Sequence, residues 1–193
     1  MSKRILTLGL STVSLMLLLA CGGGGSTPPP PPATATSITY TNPTSVPGTS
    51  YELRKNTTLS TPGSHLVLDL YGPATSVTGS GVVLTLNLDG AKATWGNVST
   101  GNLVTNGNLF VAPIVKAKVT GDSLQVVVTE KGTGTAKPLA GPLLQIAVDL
   151  KTGLTLGTPI AITPDLTKSQ VILQGSANPS NLVDLRIGTL TAQ

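Results

Sequence analysis

Apolar residues in this chain return at every second position, in run after run, and that period decides what it can fold into. Leu66, Leu68 and Leu70 alternate with Val67, Asp69 and Tyr71, and Val82, Leu84, Leu86 and Leu88 with Val83, Thr85 and Asn87. Leu124, Val126 and Val128 alternate with Gln125, Val127 and Thr129, and Leu144, Ile146, Val148 and Leu150 with Gln145, Ala147 and Asp149. Successive side chains of an extended strand point to opposite faces, so a period of two over roughly four to eight residues marks a half-buried strand. Residues 109–119, 159–163, 170–173 and 182–190 read as further strand runs, and Asp89-Gly90 is a turn signal directly after one of them. No stretch carries a helical i, i+3, i+4 repeat between caps. Charged residues make up only 10% of the chain and aromatics 3%, while Val, Leu, Ile and Thr dominate the periodic parts, which leaves little from which to build helices. The pattern predicts an all-β sandwich of about eight or nine strands over residues 37–193.

Ahead of that region the composition changes twice. Lys3 and Arg4 precede an uncharged, mostly apolar run over residues 5–20, and Cys21, the single Cys, follows it. A basic start, an apolar stretch and a small residue before the cut form a secretory signal over residues 1–20. An uncleaved membrane helix is the alternative, since a span takes roughly 17 to 25 residues. Against it, Thr7, Gly9, Ser11, Thr12 and Ser14 interrupt the run, and Gly22 to Gly25 follow at once. With no second Cys an intramolecular disulfide is excluded. Leu18-Leu19-Ala20-Cys21 resembles the lipobox of bacterial lipoproteins. That resemblance implies cleavage before Cys21 and lipidation of Cys21 with diacylglyceryl and palmitate-type chains, and two or more chains hold a protein stably where one does so only marginally. Gly22 stands where lipoproteins retained at an inner membrane commonly carry Asp. The resemblance therefore implies export and lipid anchoring in the bacterial cell envelope, at the outer membrane of a Gram-negative cell.

Residues 21–36 join the lipidated Cys to a low-complexity linker: four Gly, Ser and Thr, five prolines at 28–32, then Ala-Thr-Ala-Thr. Such a disordered Gly/Pro linker combines a flexible coil with a polyproline rod of about 15 Å, a spacer between anchor and domain. The formal net charge of +4 counts Lys3 and Arg4, which leave with the signal. The remaining basic residues, among them Lys92, Lys116, Lys118, Lys151 and Lys168, are scattered without interleaved aromatics and read as solvated charges, so no nucleic-acid partner is expected.

Three landmarks between residues 64 and 192 carry a second resemblance. Ser80-Gly81-Val82-Val83-Leu84-Thr85-Leu86-Asn87-Leu88-Asp89 is a small-residue turn leading into an alternating strand that ends in an acid. Trp95-Gly96-Asn97-Val98 runs on to Gly101-Asn102-Leu103-Val104. Ser123 to Val128, a Gly-rich loop to Gly141, and Pro142 to Val148 follow in order. This order resembles the cohesin-like domains of the cohesin and carbohydrate-binding-module superfamily. It implies a nine-strand jelly-roll sandwich that binds protein, as cohesins bind dockerin modules, or polysaccharide; it carries no dockerin-contacting residue onto a particular position.

Candidate chemistry is sparse. His65 is the single His, which removes most catalytic triads and zinc sites. The acids are placed in turns, as with Asp89 and Asp122, or on outward strand positions, as with Asp69 and Asp149, where a glycosidase would need two carboxylates across a cleft. No calcium loop motif is present, so a calcium site would have to be assembled from separate loops. Trp95 and Tyr71 are the residues available to a sugar ligand; Trp95 reads rather as a core or sandwich-rim residue, and Tyr71 points outward if Leu66, Leu68 and Leu70 point in. No catalytic residue, metal or cofactor is expected. The expected function is a non-enzymatic binding or scaffold module tethered through Cys21, with an envelope protein or polysaccharide as partner. The alternatives are a cell-surface carbohydrate-binding module, or a hydrolase whose site is built from loops.

Overall fold

The computed structural model describes residues 29–44, 48, 50–74, 77–131, 137–173, 179–182 and 184–193. The signal segment over 1–20, Cys21 and the Gly-rich start of the linker lie outside the described residues. In its first half the chain forms β1 (Ile38–Thr41), β2 (Tyr51–Lys55), β3 (His65–Tyr71), β4 (Thr78–Gly79), β5 (Gly81–Leu88), β6 (Ala93–Gly96) and β7 (Val104–Asn106). It continues as β8 (Ile114–Thr120), β9 (Ser123–Thr129), β10 (Lys137–Pro138), β11 (Pro142–Leu150), β12 (Pro159–Ile160) and β13 (Ile162–Pro164). A 3-10 turn, η1 (Leu166–Lys168), then leads to β14 (Gln170–Ile172), β15 (Ser180–Asn181), β16 (Leu185–Arg186) and β17 (Thr189–Ala192).

Two six-stranded sheets make the sandwich. The first runs β16-β2-β3-β11-β6, and β7 pairs with β11 further along the same edge. The second runs β15-β14-β5-β9-β8, with β13 also on β5. Several short segments are pieces of one run: β6 and β7 share an edge of β11, and β12 and β13 are parted by Ala161 alone. The alternation seen in the sequence sorts the faces. Leu53, Leu66, Leu68, Leu70, Leu144, Ile146 and Val148 of the first sheet and Val82, Leu84, Leu86, Leu124, Val126 and Val128 of the second are each no more than 1% exposed, in one shared core. Burying each such side chain contributes about 1.5–3 kcal/mol, so this interior dominates stability.

A small third sheet, β1-β17-β12, closes the domain by pairing its beginning with its end, Ile38 opposite Ala192 and Thr41 opposite Thr189. The packed region starts before residue 37. Leu156 N–H donates to the Ala33 carbonyl (3.1 Å), Ala35 N–H to Leu154 (2.7 Å) and Thr36 N–H to Gln193 (2.8 Å), and Ala35 is buried. A low-complexity Ala-Thr repeat can therefore serve as sheet edge once its main chain finds partners. Pro29–Pro32 are exposed.

Two sequence expectations are corrected. The strand run drawn over 109–119 begins only at Ile114, because Asn108 (φ 74°) and Ala112 (φ 46°) sit in the left-handed region, which breaks an extended chain. Phe110, 2% exposed, pins that loop to the core. Asp69 lies on the outward register but is only 6% exposed. Its carboxylate accepts from Asn56 Nδ2 (3.0 and 3.1 Å) and Gln145 Nε2 (2.9 Å), neighbours that a strand pattern does not reveal.

Candidate functional site

The outer faces of the two sheets differ. On the first, Glu52 and Val67 are buried despite pointing outward, as is Ala147. Arg54 binds the Glu52 carboxylate through Nε (2.8 Å) and through a terminal nitrogen (2.7 Å), and its guanidinium lies 4.6 Å above the Tyr71 ring. Thr105 Oγ1 donates to Gln145 Oε1 (2.7 Å), extending the Asp69 network along one row. The chain's own side chains thus cover this face.

The second sheet's outer face is open. Val83 on β5 and Val127 on β9 are half-exposed there, with exposed Gln125 also on β9 and Lys116 and Lys118 on β8. Together with Thr167, Lys168 and Gln170 they line a trough of about 560 Å³. Its far wall has a specific construction. Strands β14 and β13 pair with β5 at residues 81–83 and 86–88, which leaves Leu84 and Thr85 without a strand partner on that side. The η1 turn fills that gap: Ser169 Oγ accepts from Thr85 N–H (3.0 Å) and donates to the Asp165 carbonyl (2.8 Å), while Asp165 N–H donates to the Thr85 carbonyl (2.9 Å). Ser169 is fully buried as a result. The near wall is the β8–β9 hairpin, whose turn places Gly121 at φ 59°, the left-handed first position that a two-residue type II′ turn gives to Gly.

Lysine placement was illegible in sequence, where the basic residues read as scattered. Lys116 and Lys118, two apart on one strand, share a face and lack ion-pair partners among the described residues, and Lys168 reaches the same trough from η1. A Lys-x-Lys spacing inside a strand was the available signal. At the trough Lys168 is tied to Asp165 (2.9 Å), and away from it Lys92 is tied to Asp89 (2.8 Å) and Lys137 to Glu130 (2.5 Å). The hydrogen bond from Lys92 holds the Asp89 carboxyl below the usual carboxylate range. Lys137 does the same for Glu130, and Thr167 with Lys168 for Asp165.

Trp95 and Tyr71 are not brought together. Trp95 lies opposite Val148 on the inward register at the sheet edge, half-buried, and its indole N–H donates to the Asp122 carbonyl (2.8 Å) in the β8–β9 turn. It is a rim residue that latches one sheet to the other. Tyr71 ends β3 on the outer side, five residues along the strand from the row of Leu66 and Trp95, about 17 Å at about 3.4 Å per residue. Its ring is half-covered by Arg54. His65 opens β3 and places Nδ1 2.6 Å from Asp149 Oδ1 across the strand pair. No hydroxyl of a described residue bonds its other nitrogen, and no group of three His, Cys, Asp or Glu among the described residues could hold a metal. Cys21 lies outside the described residues.

Solved structures share this architecture. The second type II cohesin module of the adaptor ScaA scaffoldin of Acetivibrio cellulolyticus superposes with a TM-score of 0.57 at 13% identity, covering 75% of this chain and 89% of that one. CaCohA2 from Clostridium acetobutylicum gives 0.52 at 12% identity, over 82% and 92%. The fold is that of a cohesin module. A complex of CaDoc0917 with CaCohA2 gives 0.53 at 16% identity, covering 69% of this chain and 93% of its counterpart. No family model matches the sequence, and no curated protein does. The cohesin likeness therefore lies in the strand order and the two-sheet packing.

Proposed function

We propose that this chain is a non-enzymatic protein-binding module of the cohesin kind, tethered to the bacterial envelope by lipid on Cys21, and that the open face of the second sheet receives the partner. The observation that carries this reading is the asymmetry of the two faces. One is filled by its own Glu52–Arg54 and Asp69–Gln145 networks, while the other leaves Val83, Val127 and two lysines without an ion-pair partner among the described residues uncovered beside a trough. A mixed apolar and basic surface suits a folded protein partner, the apolar part supplying affinity and the lysines orientation. In the Clostridium acetobutylicum complex the counterpart of CaCohA2 is CaDoc0917, and a dockerin-type module is the partner class we assign here.

The test is site-directed photo-crosslinking in intact cells, with the reactive group placed at Gln125 on the open face or at Arg54 on the covered one. A protein adduct from Gln125 and none from Arg54 is the expected result. Equal or absent adducts, together with glycan binding lost in Trp95→Ala and Tyr71→Ala, would replace this reading by the carbohydrate one. The tether is tested by fractionation: Cys21→Ser releases the domain into the soluble fraction, and persistence at the membrane would favour an uncleaved helix.

A further inference from the structure

Beyond that face, the second sheet ends on an edge that natural sandwiches ordinarily blunt. Strand β8 is seven residues long and pairs with β9 without a bulge from Ile114 to Thr120. The sheet's other edge strand, β15, has two residues. In a two-residue hairpin the residues flanking the turn, Thr120 and Ser123, bond to each other, so Ile114, Lys116, Lys118 and Thr120 spend their main-chain groups on β9. Val115, Ala117 and Val119 consequently turn their N–H and C=O groups to the open side, and these groups bond to no described residue. Ala117 and Val119 are exposed although they point inward, because β8 overhangs the core. Short length, an internal Pro, a bulge and an inward charge are the usual protections of an edge, and β8 has none of them.

The protection it does have is Lys116 and Lys118, both on the outer face and unpaired among the described residues. Their position selects the occupant. A second copy pairing antiparallel through at least two of the free residues sets Ala117 against Ala117, Val115 against Ala117, or Ala117 against Val119. Every one of these registers puts lysine opposite lysine, which is destabilising. The chain's own eight acids never stand two apart, so no segment of it can face both lysines. We infer that β8 is a strand-addition site for an extended segment of another protein in which two acidic residues alternate with β-branched apolar ones. The acids would face Lys116 and Lys118, the apolar residues would lie beside Val115, Ala117 and Val119, and the free main-chain groups would complete the ladder.

The experiment titrates the full-length chain, in detergent, with a short synthetic peptide alternating valine and glutamate, and follows amide hydrogen exchange residue by residue. Protection rising at Ala117 and Val119, with Lys116 and Lys118 unchanged because β9 already holds them, is the expected result. A peptide with lysine in place of glutamate should bind at least about tenfold more weakly, and Lys116→Glu with Lys118→Glu should reverse that preference. Ala117→Pro removes one outward N–H without touching the β9 ladder and should abolish peptide binding while sparing crosslinking from Gln125, which separates this inference from the face proposed above. Unchanged exchange at Ala117 and Val119, indifference to peptide charge, or concentration-dependent self-association that protects the same amides would each overturn it.

Discussion

Two tyrosines hold contrasting places in the same closure of the domain. Tyr40 Oη donates to the Leu53 carbonyl (2.9 Å) and accepts from Gly188 N–H (2.7 Å), tying β1, β2 and the approach to β17 together. Tyr51 Oη is buried with no hydrogen-bond partner among the described residues. Tyr40→Phe should therefore cost about 1–3 kcal/mol, since it removes the partner of a buried carbonyl and of a half-buried N–H, whereas Tyr51→Phe should cost little or even stabilise. Urea unfolding at neutral pH checks both. Burial pushes each phenol up to about 12, and for Tyr40 the nearby Glu52 charge adds to the shift while the Gly188 bond opposes it. The unfolded chain, with phenols near 10, releases these protons first. The contribution of the two groups is thus intact below about pH 10 and is lost as pH rises towards 12. The urea midpoint should fall across that window in the wild type, and much less in the double Tyr→Phe variant.

At the scale of elements, legibility followed locality. Period two identified β3, β5, β9 and β11 because burial on one face is written in every second residue of each strand. The 107–113 loop was not legible, since Asn108 and Ala112 differ from strand residues in backbone angle and not in hydropathy. Nor was the trough, because its lysines meet Val83 and Gln170 only through the non-local order β14-β5-β9-β8. The patch between β13 and β14 also depends on tertiary pairing. Ser169→Ala removes the acceptor for Thr85 N–H at a buried site, and should cost about 1–3 kcal/mol. Native-state hydrogen exchange would show it as faster exchange at Thr85, with the β8–β9 ladder unaffected. Equal acceleration in both places would mean that η1 supports the whole sheet.

For the whole molecule, the composition marked a linker up to residue 36, yet the sandwich uses Ala33 to Thr36 as structure. A chain beginning at Pro32 should melt like the longer one. A chain beginning at Ser37 loses the bonds to Leu154, Leu156 and Gln193 and the buried Ala35. That loss should cost about 2 kcal/mol, a fall of roughly 4–8 °C in Tm by calorimetry. Equal melting of the two would return the boundary to 37.

The pairing of β1 with β17 has a practical corollary. Thr36 and Ser37 both donate to the carbonyl of Gln193 (2.8 and 2.7 Å), so the chain enters the domain and leaves it through one doorway. A fluorescent or affinity fusion appended after Gln193 would emerge beside Thr36 and Ser37, a few residues from where the packed domain begins at Ala33.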